Sequence, residues 1–201
     1  MGQEMPSDYY NRIYSDSDEY RKSYLHSEYL PAWTYIRQEM DNIVKRKSCG
    51  RSIPVTDIGC GPGQLFDYLS EMGYTNYTGV DFSEAAISMA KSLASGKAQT
   101  RASFFVEDAF TFFDRHPDIV NETEIFLFLE MLEHINDDLN LLKRVPPEKV
   151  VILSVPLFKD RAHVRHFNSI KDVKKKYGKV VKLEKVDQIL SWIIGIGKIM
   201  P

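Results

Sequence analysis

The pattern of apolar and polar positions changes character near residue 50. Before it, apolar residues recur at helical spacing through "YLPAWTYIRQEMDNIVKRK", with Pro31 placed for a helix start and Lys45 to Lys47 for its C-terminal end. The rest of that segment is polar and tyrosine-rich and predicts another helical piece ahead of it. From Ile53 onward, short apolar runs alternate with amphipathic stretches. "IPVTDIGC", "YTNYTGVDF", "ASFFVEDAF", "EIFLFLEML", "KVVILSVP", "KVVKLEKV" and "ILSWIIGIGKI" read as strands. "GQLFDYLSEMG", "SEAAISMAKSLA", "DDLNLLKRV" and "SIKDVKKKYG" read as helices, with Ser83 an N-cap for the second. Strands alternating with helices predict an α/β fold, a mostly parallel seven-stranded sheet with helices on both faces. The last two strands follow one another with no helix between them, which predicts an antiparallel hairpin at one edge.

Composition narrows the function classes. The 201 residues suffice for one sizeable core, with residues 1–48 expected as an N-terminal helical lid on a domain spanning 49–201. A net charge of -2 argues against a dedicated polyanion binder. The seven lysines from Lys171 to Lys185 read as the solvated face of a helix and an edge strand rather than a nucleic-acid footprint. Two cysteines, Cys49 and Cys60, make no disulfide framework. With no stretch suited to a signal peptide or a membrane span, a cytoplasmic protein without a membrane partner is expected. It is expected to be a monomer or homodimer, since the apolar "SWIIGIG" strand could pair between subunits or be covered by its own helices.

The candidate chemistry begins where the first strand runs into glycine, in "VTDIGCGPG". Glycine permits positive φ and lets a ligand approach the main chain. The pyrophosphate fingerprint G-x-G-x-x-G fails here, because Gln64 stands at its last position. That, with no second nucleotide-binding half, disfavours a nicotinamide-dependent oxidoreductase. Ligands of open α/β sheets sit at the carboxyl ends of the strands. The second strand ends at Asp81, about 20 residues past the turn, where a carboxylate would accept from ribose hydroxyls. Phe82 offers an apolar face for an adenine, and Asp108 at the third strand end an acceptor for its amino group. Each aspartate could instead be a helix cap or turn residue. The rim as a whole spells a nucleoside site.

"VTDIGCGPGQL", "YTGVDFSEAAISMAK", "FFVEDAF", "LEMLEHINDD" and "VVILSVP" together resemble, in order and spacing, the motifs of class I S-adenosylmethionine-dependent methyltransferases. The resemblance covers roughly residues 50 to 200 and implies a Rossmann-like fold with S-adenosyl-L-methionine as cofactor. It places Asp57 and Gly59 near the methionine amino group, Gly61 where the backbone meets the cofactor, and Asp81 on the ribose diol. Asp108 and Ala109 would meet the adenine, and Leu129 and Glu130 would pass beside the sulfonium.

Methyl transfer is an in-line displacement in which the protein positions the acceptor and excludes water. A hydroxyl acceptor gains from a general base, worth roughly 10²–10⁴-fold. His134 is the candidate, either as that base or as a histidine that merely packs at a helix start. The run "EMLEH" is similar to that of ubiquinone-biosynthesis O-methyltransferases. On a helix, Glu130, Glu133 and His134 would share one face, with His163 and His166 further on. That arrangement is similar to the metal site of small-RNA 2'-O-methyltransferases, but Glu130 can still lie on the strand, and we assign no metal.

The loop "PLFKDRAHVRHFNSI" offers Arg161, His163 and His166 to a substrate, or else is a solvated cationic loop. Of the N-terminal tyrosines, Tyr14 and Tyr24 are expected to reach the acceptor pocket and most others to pack. The expected function is methyl transfer to a small-molecule hydroxyl. The alternatives are an N-methyltransferase, an RNA or protein methyltransferase, and a non-catalytic S-adenosylmethionine-binding module.

Overall fold

The computed structural model describes residues 2–201, and seven strands form one sheet. They are β1 (Val55–Ile58), β2 (Asn76–Asp81), β3 (Arg101–Val106), β4 (Ile125–Leu129), β5 (Val150–Pro156), β6 (Val181–Ile189) and β7 (Trp192–Ile199). Their order is β3-β2-β1-β4-β5-β7-β6. The first five strands run parallel, and β7 is antiparallel to both β5 and β6, closing the expected hairpin at the edge.

The apolar runs of the middle strands have no polar alternation because both faces of the sheet are covered. Along β4, Ile125 and Leu127 face one core layer, while Phe126 and Phe128 face the other. The first layer is completed by α2 (Leu30–Arg46), α3 (Gln64–Glu71) and α4 (Glu84–Ser95), through Ile36, Met40, Phe66, Leu69, Ile87 and Ala90. The second is completed by α5 (Ala109–Arg115), α6 (Pro117–Glu122), α7 (Asp138–Leu142) and α8 (Ile170–Tyr177). On the edge, Lys182 and Lys185 of β6 are exposed, as are Lys171, Lys174 and Lys175 of α8. Among the described residues no helix is long and apolar enough to cross a membrane.

Two sequence expectations are corrected. The strand read as "ASFFVEDAF" stops at Val106, and Ala109 opens α5. The Asp108 side chain caps that helix, and Ala109, Phe112 and Phe113 are buried at helical spacing, which outweighs the strand propensity of an aromatic-rich run. The strand read through Leu132 ends at Leu129, and Glu130 turns out of it at φ +54. Helix α2 packs into the core with Val55, Leu127 and Ile152. Of residues 1–48, the stretch ahead of α2, including α1 (Ser7–Asp16), supplies most of the crevice lining, and α2 adds Trp33.

From β1 the sheet is built outward to β2 and β3, and from β4 in the opposite direction. This reversal opens a crevice at the carboxyl ends of β1 and β4, the place such sheets offer to ligands.

Candidate active site

The chain leaves β1 through Gly59, Gly61 and Gly63, with φ of +79, +54 and +84. A Cβ on Gly59 would lie 3.0 Å from Cβ of Met131, and one on Gly63 would lie 2.8 Å from Cβ of Ala90. Gly63 thus lets the start of α3 pack against α4. Gln64, where the pyrophosphate fingerprint has its last glycine, has another task. Its Nε2 donates to the carbonyls of Glu19 at 3.2 Å and Lys22 at 2.9 Å, tying the N-terminal segment to the turn.

Two buried carboxyl groups stand beside this turn. Asp81 accepts from the Gly61 amide at 3.0 Å and from the Ser83 amide at 2.9 Å. Burial nevertheless pushes it up to about 6. Asp57 accepts from the Tyr77 hydroxyl at 2.5 Å through Oδ2, while Oδ1 is buried and has no partner. Burial pushes Asp57 up to about 7. An orphaned carboxylate oxygen beside a side-chain-free turn suits an ammonium group, and the residues fit an amino-acid-bearing nucleoside.

These groups line a cavity of about 410 Å³, of the size that takes a small molecule. Asp57, Gly59, Asp81, Phe82, Asp108, Ala109 and Leu129 are all on its wall. Gly61 is not. Instead Tyr14 covers it, the phenolic oxygen lying 3.4 Å from where a Cβ would be. Asp108 uses Oδ1 to cap α5, accepting from the amides of Phe110 at 2.9 Å and Thr111 at 3.3 Å.

Beyond β4 lies the other half of the cavity. Glu130 is held to β5 by its amide, which donates to Ser154 Oγ at 3.1 Å, and by its carboxylate, which accepts from the same hydroxyl at 2.7 Å. Burial pushes Glu130 up to about 8. Leu132–His134 form a single turn of 3-10 helix, so Glu130, Glu133 and His134 do not share the helical face that their spacing predicted. Glu133 is only 1% exposed, and neither of its carboxylate oxygens has a hydrogen-bond partner. Burial pushes it well above the usual carboxylate range, with the nearby Glu130 adding to the effect.

His134 Nδ1 lies 3.1 Å from the Ala162 carbonyl and 3.0 Å from the Tyr10 hydroxyl. A carbonyl only accepts, so this contact assigns the proton to Nδ1 and leaves a lone pair on Nε2. Nε2 stands 3.7 Å from Glu133 Oε1. Burial pushes His134 down to about 4, which keeps the ring neutral at physiological pH. His163 stacks edge-on, 4.8 Å away between ring centroids, and is likewise pushed down by burial. Ligand atoms of Glu133, His134 and His163 all lie within 4.8 Å of one another, a grouping that leaves out Glu130 and His166.

The segment ahead of α2 closes the top. Asn11 Oδ1 accepts from Ser83 Oγ at 2.7 Å and the Ala85 amide at 3.3 Å, docking α1 on the start of α4. On the far side, the Gly2 amide donates to the His163 carbonyl at 3.1 Å, and Glu4 accepts from the Asn136 amide at 3.1 Å. Tyr9, Tyr10, Tyr14, Tyr20 and Tyr29 reach the cavity wall.

Three expected substrate contacts lie elsewhere. Tyr24 is buried away from the cavity, its hydroxyl donating to Glu71 at 2.6 Å. Arg161 is exposed, with its guanidinium over the Tyr9 ring and Nε donating to the Tyr9 hydroxyl at 3.1 Å. His166 pairs with Asn168 outside the wall at 3.0 Å. Only His163 of the expected loop residues lines the cavity, together with Tyr14 and Glu130. Sequence reasoning did not single out Tyr10 or Asn11 as contributors. No local signal separates Tyr10 from the six other tyrosines before residue 36.

Residues 55–145 match the family described as a methyltransferase domain. No curated protein matches the chain in sequence. Solved structures resemble it more broadly. A protein concerned with converting a disulfide bond into a thioacetal group during echinomycin biosynthesis is 16% identical at a TM-score of 0.65, covering 97% of this chain and 93% of that one. A SAM-dependent methyltransferase from Aquifex aeolicus is 12% identical at a TM-score of 0.62, covering 98% and 100%. WbdD is 16% identical at a TM-score of 0.66 over 95% of this chain, which spans only 47% of the WbdD chain. At these identities the structural likeness is one of fold.

Proposed function

We propose that this chain is a class I S-adenosylmethionine-dependent methyltransferase that methylates a hydroxyl of a small-molecule acceptor, with His134 as the base; the methyltransferase-domain match over residues 55–145 supports the first part. The observation that carries the reading is the neutral His134 ring on the cavity wall, its proton directed at Ala162 and its Nε2 lone pair free. When bound, S-adenosylmethionine supplies a methyl group activated on a sulfonium. Asp57 would hold its ammonium group, Asp81 its ribose and Phe82 its adenine, while the glycine turn gives the backbone room. His134 Nε2 would take the proton from the acceptor hydroxyl as its oxygen becomes the nucleophile. Tyr10 and Tyr14, on α1, would close over both ligands and exclude water.

The test is calorimetric titration with S-adenosylhomocysteine, followed by turnover of hydroxyl acceptors with methyl-labelled cofactor. The reading expects saturable binding. It also expects His134→Ala to lose turnover, by roughly the 10²–10⁴-fold of a lost base, at unchanged cofactor affinity. Equal turnover by the variant overturns the assignment of the base.

A further inference from the structure

The acceptor half of the cavity has an unusual electrostatic composition. Every Asp, Glu, Lys or Arg on the described wall is acidic; no lysine or arginine reaches it. Both arginines of the loop after β5 are engaged elsewhere, while its Lys159 is exposed and off the wall. Arg161 lies over Tyr9, and Arg165 donates to the carbonyls of Leu132 and Asn136 while pairing with buried Asp138 at 3.0 Å. Glu133 is thus left almost wholly buried with two unpartnered oxygens, an arrangement that costs stability unless a donor or counter-charge arrives.

Aromatic rings make up part of the remaining wall. Tyr10, Tyr29 and Trp33 line the same cavity as Glu130 and Glu133. Tyr29 stacks on Trp33 with ring centroids 5.7 Å apart. Ring faces attract organic cations through cation–π contact, and a bound cation would favour the ionised form of the buried carboxyl groups beside them, adding an ion pair.

We propose that the acceptor carries a protonated amine, held by Glu133 and Glu130 and enclosed by Tyr10, Tyr29 and Trp33. The proposal rests on the methyl-transfer reading of this cavity and narrows its substrate to a hydroxyl-bearing amine. It excludes carboxylates and phosphates as acceptors, because no cation on the wall would pair with them. A divalent metal ion is the rival occupant, through Glu133, His134 and His163. The aromatic enclosure favours the organic cation.

The experiment uses the full chain saturated with S-adenosylhomocysteine in the presence of EDTA. Benzylamine (protonated at neutral pH), benzyl alcohol and benzoate serve as size-matched probes, titrated by calorimetry. Benzylamine is expected to bind at least about tenfold tighter than either other probe, the factor given by 1.4 kcal/mol. Glu133→Gln is expected to abolish that preference while retaining S-adenosylhomocysteine binding. Glu130→Gln, read the same way, replaces it if the first variant fails to fold. Equal or tighter binding of benzoate or benzyl alcohol overturns the proposal, as does a protein that takes S-adenosylhomocysteine but no probe. Saturation by Mn²⁺ in a parallel EDTA-free titration, with no competition from benzylamine, also overturns it and assigns the site to metal. Failure to bind S-adenosylhomocysteine at all instead overturns the cofactor assignment.

Discussion

The Tyr10 hydroxyl, on α1, lies 3.0 Å from Nδ1 of His134, beyond β4, and joins the covering helix to the candidate base. His134 is also held by Ala162, so removing the phenol leaves the proton on Nδ1 but loosens the ring and the helix above it. Tyr10→Phe is expected to lower kcat by roughly two- to tenfold, the worth of one net hydrogen bond, with little change in S-adenosylhomocysteine affinity. Steady-state kinetics beside calorimetry checks this. A fall in cofactor affinity that matches the fall in rate assigns Tyr10 to cofactor binding instead.

Asp81 is fixed before any ligand arrives, since the Gly61 and Ser83 amides hold both its oxygens. A ribose diol would meet a preorganised acceptor whose ionisation those amides favour. Asp81→Ala is expected to weaken S-adenosylhomocysteine binding by roughly 1.5–3 kcal/mol, the scale of a hydrogen bond to a charged group. Unchanged affinity by calorimetry would remove the ribose assignment.

Asp57 makes the ligand-free protein sensitive to pH. Its ordinary value is 3.8, and burial pushes it up to about 7 in the folded state. Between those values the unfolded chain releases a proton that the folded chain retains, so stability falls as pH rises through the window. Asp81, pushed up to about 6, slopes in the same direction. His134, pushed down to about 4, slopes the other way, so the Asp57 contribution is read as the difference between wild type and Asp57→Asn in urea unfolding of the ligand-free proteins at pH 4, 5.5 and 7. Asp57→Asn is expected to flatten the slope and stabilise the ligand-free protein at pH 7 while weakening cofactor binding. An Asp57→Asn protein that keeps the wild-type slope contradicts the assignment.

What was legible in the chain and what was not divide along physical lines. β1, β4 and β5 were readable because strands buried on both faces carry uninterrupted apolar runs. The glycine turn was readable because positive φ at three alternate positions leaves its mark on composition. Helix α5 was not, because "AFTFF" has the propensity of a strand and only the Asp108 cap reveals the helix. The Glu130 turn escaped for a related reason. A glutamate at φ +54 is held there by Ser154, 24 residues away, which no local window contains. Arg161 and His166 looked like substrate contacts because charge in a loop says nothing of direction. The cover over the cavity depends on Tyr10, Asn11 and Gln64 meeting partners at least 42 residues distant, so its geometry is tertiary.

The glycines of the turn differ in purpose, and stability separates them from an ordinary loop glycine. Gly63 has φ +84, and an added Cβ would lie 2.8 Å from Ala90 Cβ and 3.0 Å from its Cα, both on the rigid face of α4. Gly63→Ala therefore carries roughly 1–2 kcal/mol for left-handed backbone and a further 1–3 kcal/mol for overpacking. Gly96, at the end of α4, has φ -85, and the nearest atom to an added Cβ is 3.9 Å away. Gly96→Ala is expected to be neutral or to stabilise by about 0.4–1 kcal/mol, since it restricts only the unfolded chain. Thermal unfolding of the two variants beside the parent protein checks the contrast. A Gly63→Ala protein as stable as its parent would mean that α3 and α4 separate at little cost, and that this glycine serves the ligand rather than the packing.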